Sequence, residues 1–99
     1  MICHCVFFWL KQNEKDVAAK MLECARTQLS GIPGVRNLLA GAPIPSTRPV
    51  VDCSYDVAIS MSFDSKSDLD AYAGHPAHKN FVQGFVEPHV ERCVVYDFS

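Results

Sequence analysis

The sequence predicts one α+β domain over residues 1–99, in which helices pack on a four-stranded antiparallel sheet. Strand-forming segments rich in β-branched and aromatic residues begin and end the chain, and amphipathic helical patterns lie between them. The elements follow one another in the order β-α-β-β-α-β. A length of 99 residues, with 48% hydrophobic and 20% charged residues, suits a single compact domain and leaves no room for a second.

The first predicted element is a strand over residues 2–10, with the sequence ICHCVFFWL. The segment is too short for an isolated buried helix and consists mostly of residues that favour strands. Its two faces are both apolar, with Ile2, Val6, Phe8 and Leu10 on one and Cys3, Cys5, Phe7 and Trp9 on the other. A strand of this kind is expected to be covered on both faces.

An amphipathic helix is predicted over residues 14–30, since apolar residues recur there at spacings of three and four. Asn13 is expected to cap its start, and Gly31 to end it. Residues 35–40 are predicted as the second strand. The proline-rich segment 41–54 then forms a loop, because proline cannot pair regularly in a sheet; the role of Arg48 in this loop is left open.

Residues 55–63 alternate between large apolar and small residues, which predicts a third strand. Ser65 begins a short helix with a pattern like a capping box, and Gly74 ends it.

A second helical segment begins at His75-Pro76 and is expected to stop at Pro88. Residues 93–98 form the fourth strand. This order, with the second helix broken at the Gly-His-Pro elbow, is the ferredoxin-like arrangement.

Charge and targeting patterns exclude several classes of partner. A formal net charge of −2 argues against a cationic surface for nucleic acid, so we expect no nucleic-acid partner. The apolar run at residues 2–10 is too short for a membrane span and lacks the flanking pattern of a signal peptide, so we expect a cytoplasmic protein without a membrane partner. The five cysteines are then reduced thiols, and an odd number without a C-x-x-C pair fits neither a disulfide scaffold nor a zinc knuckle.

The sequence also predicts a homodimer through sheet faces. In a ferredoxin-like fold the helices cover one face of the sheet, which leaves the face of Cys3, Cys5, Phe7 and Trp9 open. Burying each large apolar side chain gains about 1.5–3 kcal/mol, so a second copy of the same sheet is the simplest cover. The alternative is a monomer whose own loop and tail cover this face.

Several segments together resemble the stress-responsive A/B barrel (Dabb) family. They are the first strand at residues 2–6, the turn at 31–35, the strand start at 55–58, the motif Ala71-Tyr72-Ala73-Gly74-His75-Pro76-Ala77-His78 with Phe81-Val82, and the closing residues 94–98. The resemblance runs almost from end to end, and Tyr72-x-x-His75-Pro-Ala-His78 is its most specific part. It implies the dimeric α+β barrel fold, with a cleft between the sheet and the helices of each subunit.

The family resemblance also implies candidate activities. Many members have no assigned activity, while a plant branch cyclises linear polyketides without a cofactor, by an intramolecular aldol condensation. The working imidazole and tyrosine positions of that branch match His4, Tyr72 and His78 here. The branch carries Tyr and His where this sequence has Ala25 and Val57.

Two histidines on inward faces of an apolar domain favour a small-molecule site that uses no cofactor. In this hypothesis His78 is the general base, His4 orients or polarises a carbonyl, and Tyr72 donates a hydrogen bond. The ligand would contact Val57, Ile59, Phe81, Phe85 and His75.

The sequence is also compatible with two other functions. The protein could instead be a non-catalytic dimeric stress or interaction protein, whose histidines serve packing only. A third reading, by analogy of fold, is a monooxygenase-like member of the same superfamily. No metal site is predicted, because His4 has the opposite parity to Cys3 and Cys5, and because His75 and His78 alone are too few ligands for zinc.

Overall fold

Four antiparallel strands form one sheet in the computed structural model, which describes residues 1–99. They are β1 (Ile2–Leu10), β2 (Arg36–Gly41), β3 (Val57–Phe63) and β4 (Val90–Phe98), and their order in the sheet is β2-β3-β1-β4. The long central strand β1 pairs with β3 on one side and with β4 on the other. This is the ferredoxin-like α+β fold that the sequence predicts.

The helices lie on one face of the sheet. The connection from β1 to β2 contains α1 (Ala18–Thr27), with one 3₁₀ turn before it (Lys15–Val17) and one after it (Leu29–Gly31). The connection from β3 to β4 contains α2 (Lys66–Gly74), α3 (Pro76–Phe81), a π-helical segment (Val82–Val86) and the short α4 (Glu87–His89). None of the helices is long and apolar enough to cross a bilayer.

Several predicted element boundaries are wrong by a few residues. Asn13 does not cap the first helix, because the first turn is a 3₁₀ turn that follows Glu14 and has no side-chain cap. The third strand begins at Val57 and not at Tyr55. At this end of the strand pair the Leu10 N–H of β1 donates to the side-chain carboxylate of Asp56, at 2.7 Å, and not to a backbone carbonyl. Pro88 does not stop the helix, because the helical run continues from the π-helical segment through Pro88 and ends one residue later, at His89.

The core lies between the sheet and the helices, on the face of β1 that carries Val6, Phe8 and Leu10. Opposite these residues, β3 contributes its large apolar side chains, and α1 contributes Met21 and Ala25, which are fully buried. The alternation predicted for β1 is therefore confirmed, and that predicted for the third strand is confirmed from Val57 to Phe63. It is wrong for Tyr55, which precedes the strand and packs against Phe7 on the other face. His4 lies on the same face of β1 as the core residues, toward the helices, as predicted, and its side chain is only 12% exposed.

The opposite face of the sheet is partly covered by the loop that precedes β3. The Tyr55 ring packs edge-on against Phe7, and the Ser54 hydroxyl accepts a hydrogen bond from the indole N–H of Trp9 at 3.0 Å. Arg92 of β4 lies over the Trp9 ring, 4.3 Å from its centroid. The prediction that Phe7 and Trp9 lie uncovered is therefore wrong for the chain alone.

The N-cap of α2 should contribute measurably to stability. The Ser65 hydroxyl accepts a hydrogen bond from the Asp68 N–H, which would otherwise be unpaired at the helix start. We expect Ser65→Ala to lower the free energy of unfolding by about 1 kcal/mol, measured by urea denaturation. Thr47→Ala is the control, since Thr47 is an exposed loop residue whose hydroxyl caps no helix. An equal loss in both variants would contradict this role of Ser65.

Candidate functional site

A cleft of about 250 Å³ lies between the helix-facing side of the sheet and the helices that follow β3. Its lining is hydrophobic except for two imidazoles, those of His4 and His78. The apolar walls come from β1, β3, β4, α2, α3 and the π-helical segment, through residues that include Val6, Phe8, Ile59, Met61, Leu69, Phe81, Val82, Val86 and Val95. A concave apolar site with a few convergent polar groups is the usual form of a small-molecule site.

His4 is held in place by Asp97. Antiparallel pairing places His4 of β1 directly opposite Asp97 of β4, and its Nδ1 is hydrogen-bonded to the Asp97 carboxylate. The carboxylate can only accept, so Nδ1 carries the proton of this bond. In the neutral ring the lone pair is then on Nε2, which makes no hydrogen bond within the chain. Asp97 therefore selects the tautomer of His4 and fixes the orientation of its ring.

His78 is held by the backbone of the preceding helix. Its Nδ1 donates to the carbonyl oxygen of Ala73 at 3.0 Å, which again leaves the lone pair of the neutral ring on Nε2. Burial lowers the pKa of His78 from its ordinary value of 6.5, and the nearby His4 acts in the same direction, while the bond to Ala73 opposes them. The lowered pKa keeps His78 neutral and able to accept a proton at pH 7.

The Tyr72 ring lies close to both imidazoles. Its ring centroid is 6.0 Å from that of His4 and 4.7 Å from that of His78, and the residue is only 3% exposed. Burial raises the pKa of Tyr72 to about 12, so the phenol remains protonated at neutral pH. Its hydroxyl makes no hydrogen bond within the chain. The phenol is therefore free to donate to an acceptor in the cleft.

The structure thus brings together the three residues that the sequence singled out for chemistry, but only part of the predicted ligand-contacting set. Ile59 and Phe81 line the cleft. Val57 does not, because it is fully buried in the core. His75 does not either, because its Nδ1 caps α3 by accepting from the Ala77 N–H at 3.1 Å. Phe85 is also outside the lining; it packs on Phe81, and the π-helical segment presents Val82 and Val86 instead.

Sequence reasoning missed the contribution of β4. Asp97 bonds His4, and Cys93 and Val95 line the cleft from the same face of the strand. Burial raises the pKa of the Cys93 thiol, so this residue lines the cleft as a neutral group. Strand alternation in the sequence groups these three residues on one face, but it does not show that Asp97 lies opposite His4.

The chain belongs to the stress responsive A/B barrel domain family. The model of that family matches residues 2–99, in agreement with the resemblance seen in the sequence. A solved Dabb family protein with a ferredoxin-like fold, from Mesorhizobium loti, is 30% identical to this chain, with a TM-score of 0.79 over 99% of this chain and 94% of that one. No match is found among curated protein sequences.

More distant solved structures share the fold. A dimeric ferredoxin-like protein of unknown function from Bacteroides fragilis is 22% identical, with a TM-score of 0.80 over 99% of this chain and 94% of that one. A candidate antibiotic biosynthesis monooxygenase from Nitrosomonas europaea is 10% identical, with a TM-score of 0.75 over 100% of this chain and 97% of that one. At these identities the similarity extends to the fold alone.

The electrostatics of the cleft predict an unusual titration for His78. We expect the imidazole of His78 to titrate with a midpoint below 6.5 in the folded protein, because burial disfavours its charged form. NMR chemical shifts of the ring protons, assigned with a His78→Gln variant, would give the midpoint. In denaturing urea the same resonance should return to a midpoint near the ordinary value. A folded midpoint at or above 6.5 would show that the cleft does not desolvate this ring.

Proposed function

We propose that this protein binds a small, mostly apolar carbonyl compound in the cleft and promotes proton transfer on it without a cofactor. One observation carries the proposal: two imidazoles, each with Nδ1 already bonded and Nε2 free, share one apolar cleft with a protonated phenol. Groups used only for packing need no such arrangement of free nitrogen lone pairs. A general base and a hydrogen-bond donor facing one cavity are the minimum for removing a proton next to a carbonyl.

The roles follow from the environment of each group. His78, neutral because of its lowered pKa, takes a proton from the carbon adjacent to the carbonyl. The Tyr72 phenol donates to the carbonyl oxygen and stabilises the negative charge that develops there. His4, held by Asp97, orients the substrate from the sheet side. Attack of the resulting enolate on a second carbonyl of the same molecule would close a ring, as in an aldol cyclisation.

The cleft sets the size of the ligand. An apolar cavity of about 150 Å³ holds a benzene ring, so one of about 250 Å³ has room for a single ring with a short substituent. The plant cyclase branch has two further polar groups where this chain has Ala25 and Val57, which are both fully buried here. We therefore propose a substrate with few polar groups beyond the carbonyl.

Deuterium exchange tests the proton transfer without knowledge of the natural substrate. Acetophenone is a single-ring methyl ketone of suitable size, and NMR in D₂O measures deuterium uptake at its methyl group. We expect the protein to accelerate this exchange over buffer, and His78→Ala to reduce the acceleration by roughly 100-fold or more. Tyr72→Phe should reduce it by about tenfold, since one hydrogen bond to the enolate is lost.

Lys79→Ala is the matched control for the exchange experiment. Lys79 is exposed and follows His78 directly in α3, so its removal should leave the rate unchanged. Exchange no faster than in buffer, for wild type and variants alike, would favour the alternative of a non-catalytic dimeric interaction protein.

We also propose that two copies of this chain associate through the open face of the sheet. Three large apolar side chains lie exposed there, with Leu39 71%, Tyr96 63% and Phe98 62% exposed. The loop at residues 54–55 covers only the Phe7 and Trp9 end of this face. Leu39 lies on the edge strand β2, and Tyr96 and Phe98 lie on the other edge strand, β4. Large apolar side chains exposed on one face of a sheet often mark an interface, and a two-fold axis lets the same face cover itself. The description of the Bacteroides fragilis structure as dimeric supports this proposal.

Sedimentation velocity tests the dimer. We expect the wild-type chain to sediment with the mass of two chains at micromolar concentration. Tyr96→Asp should shift it toward the mass of one chain, because it places a charge in the apolar interface. Ala19→Asp adds the same charge at an exposed position on α1, away from this face, and should leave the dimer intact. A wild-type chain that sediments as a monomer would contradict the proposed dimer.

A further inference from the structure

One turn of the helical run that follows α2 is wider than an α-helical turn. The Glu87 N–H donates to the carbonyl oxygen of Val82, five residues earlier, whereas an α-helical N–H donates to the fourth residue before it. The run continues from α3 through this turn into α4 without a break. It therefore contains one residue more than regular α-helical turns over the same length would need.

The wide turn decides which side chain faces the cleft. In a regular α-helix Phe85 would lie about 20° from His78 around the helix axis, and Val86 would lie about 80° from it. Phe85 would then project into the cleft, as the sequence periodicity predicts. Instead Val86 lines the cleft, and the Phe85 ring packs on Phe81 outside the lining, with 5.5 Å between the ring centroids. The extra residue thus places an isopropyl group where a phenyl ring is expected.

This exchange of side chains sets the room in the cleft. A benzene ring fills a cavity of about 150 Å³, so an inward-facing Phe85 would take more than half of the volume of about 250 Å³. The space left over would be too small for a ligand that contains a ring. The position of the wide turn therefore controls the size of ligand that the cleft admits.

Pro88 accounts for the position of the wide turn. In an α-helix residue 88 would donate its N–H to the carbonyl of Gly84, but proline has no N–H, and its ring clashes with the carbonyl four residues before it. A wide turn just before Pro88 moves the Gly84 carbonyl out of that position. Without the proline, the wide turn can move one turn later, toward His89, and Phe85 then has α-helical geometry.

The end of the helical run is fixed, so the extra residue has to be accommodated within the run. Lys11, the residue after β1, donates its backbone N–H to the carbonyl of His89 at 2.9 Å and its ammonium group to the carbonyl of Pro88 at 2.8 Å. The choice is therefore between a wide turn at Val82–Val86, with Phe85 outside the cleft, and a later one, with Phe85 inside it.

We propose that Pro88 determines the size of ligand that the cleft admits, by keeping the wide turn at Val82–Val86 and so holding Phe85 outside. Pro88 is exposed and does not line the cleft, so it acts as a positioning residue. The proposal rests on the cleft being the ligand site, as in the proposed function, but it requires no reaction there.

Benzene binding, followed by NMR of the cleft valine methyl groups, tests this proposal without a substrate. We expect Pro88→Ala to weaken benzene binding by about tenfold or more, because the apparent affinity falls with the fraction of molecules whose cleft is open. The position of the ring gives a second readout. In Pro88→Ala the Phe85 ring protons should show nuclear Overhauser contacts to the methyl groups of Val6 and Val95, on the sheet side of the cleft, which wild type should lack.

Removal of the Phe85 ring separates this role from a general loss of structure. The double variant Pro88→Ala/Phe85→Ala should bind benzene within about twofold of Phe85→Ala alone, because no ring is left to enter the cleft. Damage to the fold at Pro88 would not be repaired in this way. Glu87→Ala is the matched control, since Glu87 is exposed in the same turn and its removal keeps the proline.

Three outcomes would overturn the proposal. They are a wild-type cleft that takes no benzene, a Pro88→Ala variant that binds benzene as tightly as wild type, and a loss of binding in that variant that Phe85→Ala does not restore. A failure of the proposed proton transfer is distinct from these, since acetophenone exchange at the buffer rate leaves the benzene results unchanged.

Discussion

The antiparallel register between β1 and β4 is the constraint on which the rest of the structure depends. It places His4 opposite Asp97 and, two residues further along β1 and two residues back along β4, Val6 opposite Val95. A slip by one residue would turn one of these strands over, so that its cleft-lining side chains would face the other side of the sheet. Burial of one face of β1 fixes this register. If β1 slipped by one residue, Cys5 and Phe7 would replace Val6 and Phe8 in the core.

The apolar surroundings of the cleft then determine the proton states of its polar groups. Desolvation favours the neutral form of any ionisable group, so it lowers the pKa of His78 and raises that of Tyr72. The two shifts have opposite signs but the same cause. Together they leave a base without a proton beside an acid that keeps its own, which is the combination that proton transfer at a carbonyl requires.

The two faces of β1 have different roles because successive side chains alternate. The face toward the helices presents one imidazole to the apolar cleft, while the other face presents a pair of thiols and a set of aromatic rings. A second copy of the chain could bury the apolar surface of the second face without disturbing the cleft on the first face. A single strand can therefore serve both a ligand site and an interface.

The sequence by itself determined the order of the elements, the parity of β1 and β3, and the inward positions of His4, Tyr72 and His78, because these follow from local periodicity. Boundaries such as the start of β3 depended on tertiary hydrogen bonds. Only the tertiary structure could pair His4 with Asp97, since 93 residues separate them and register between distant strands is a property of the whole sheet. The exclusion of Val57, His75 and Phe85 from the cleft was likewise decided by packing, because periodicity gives the face of a residue but not its depth.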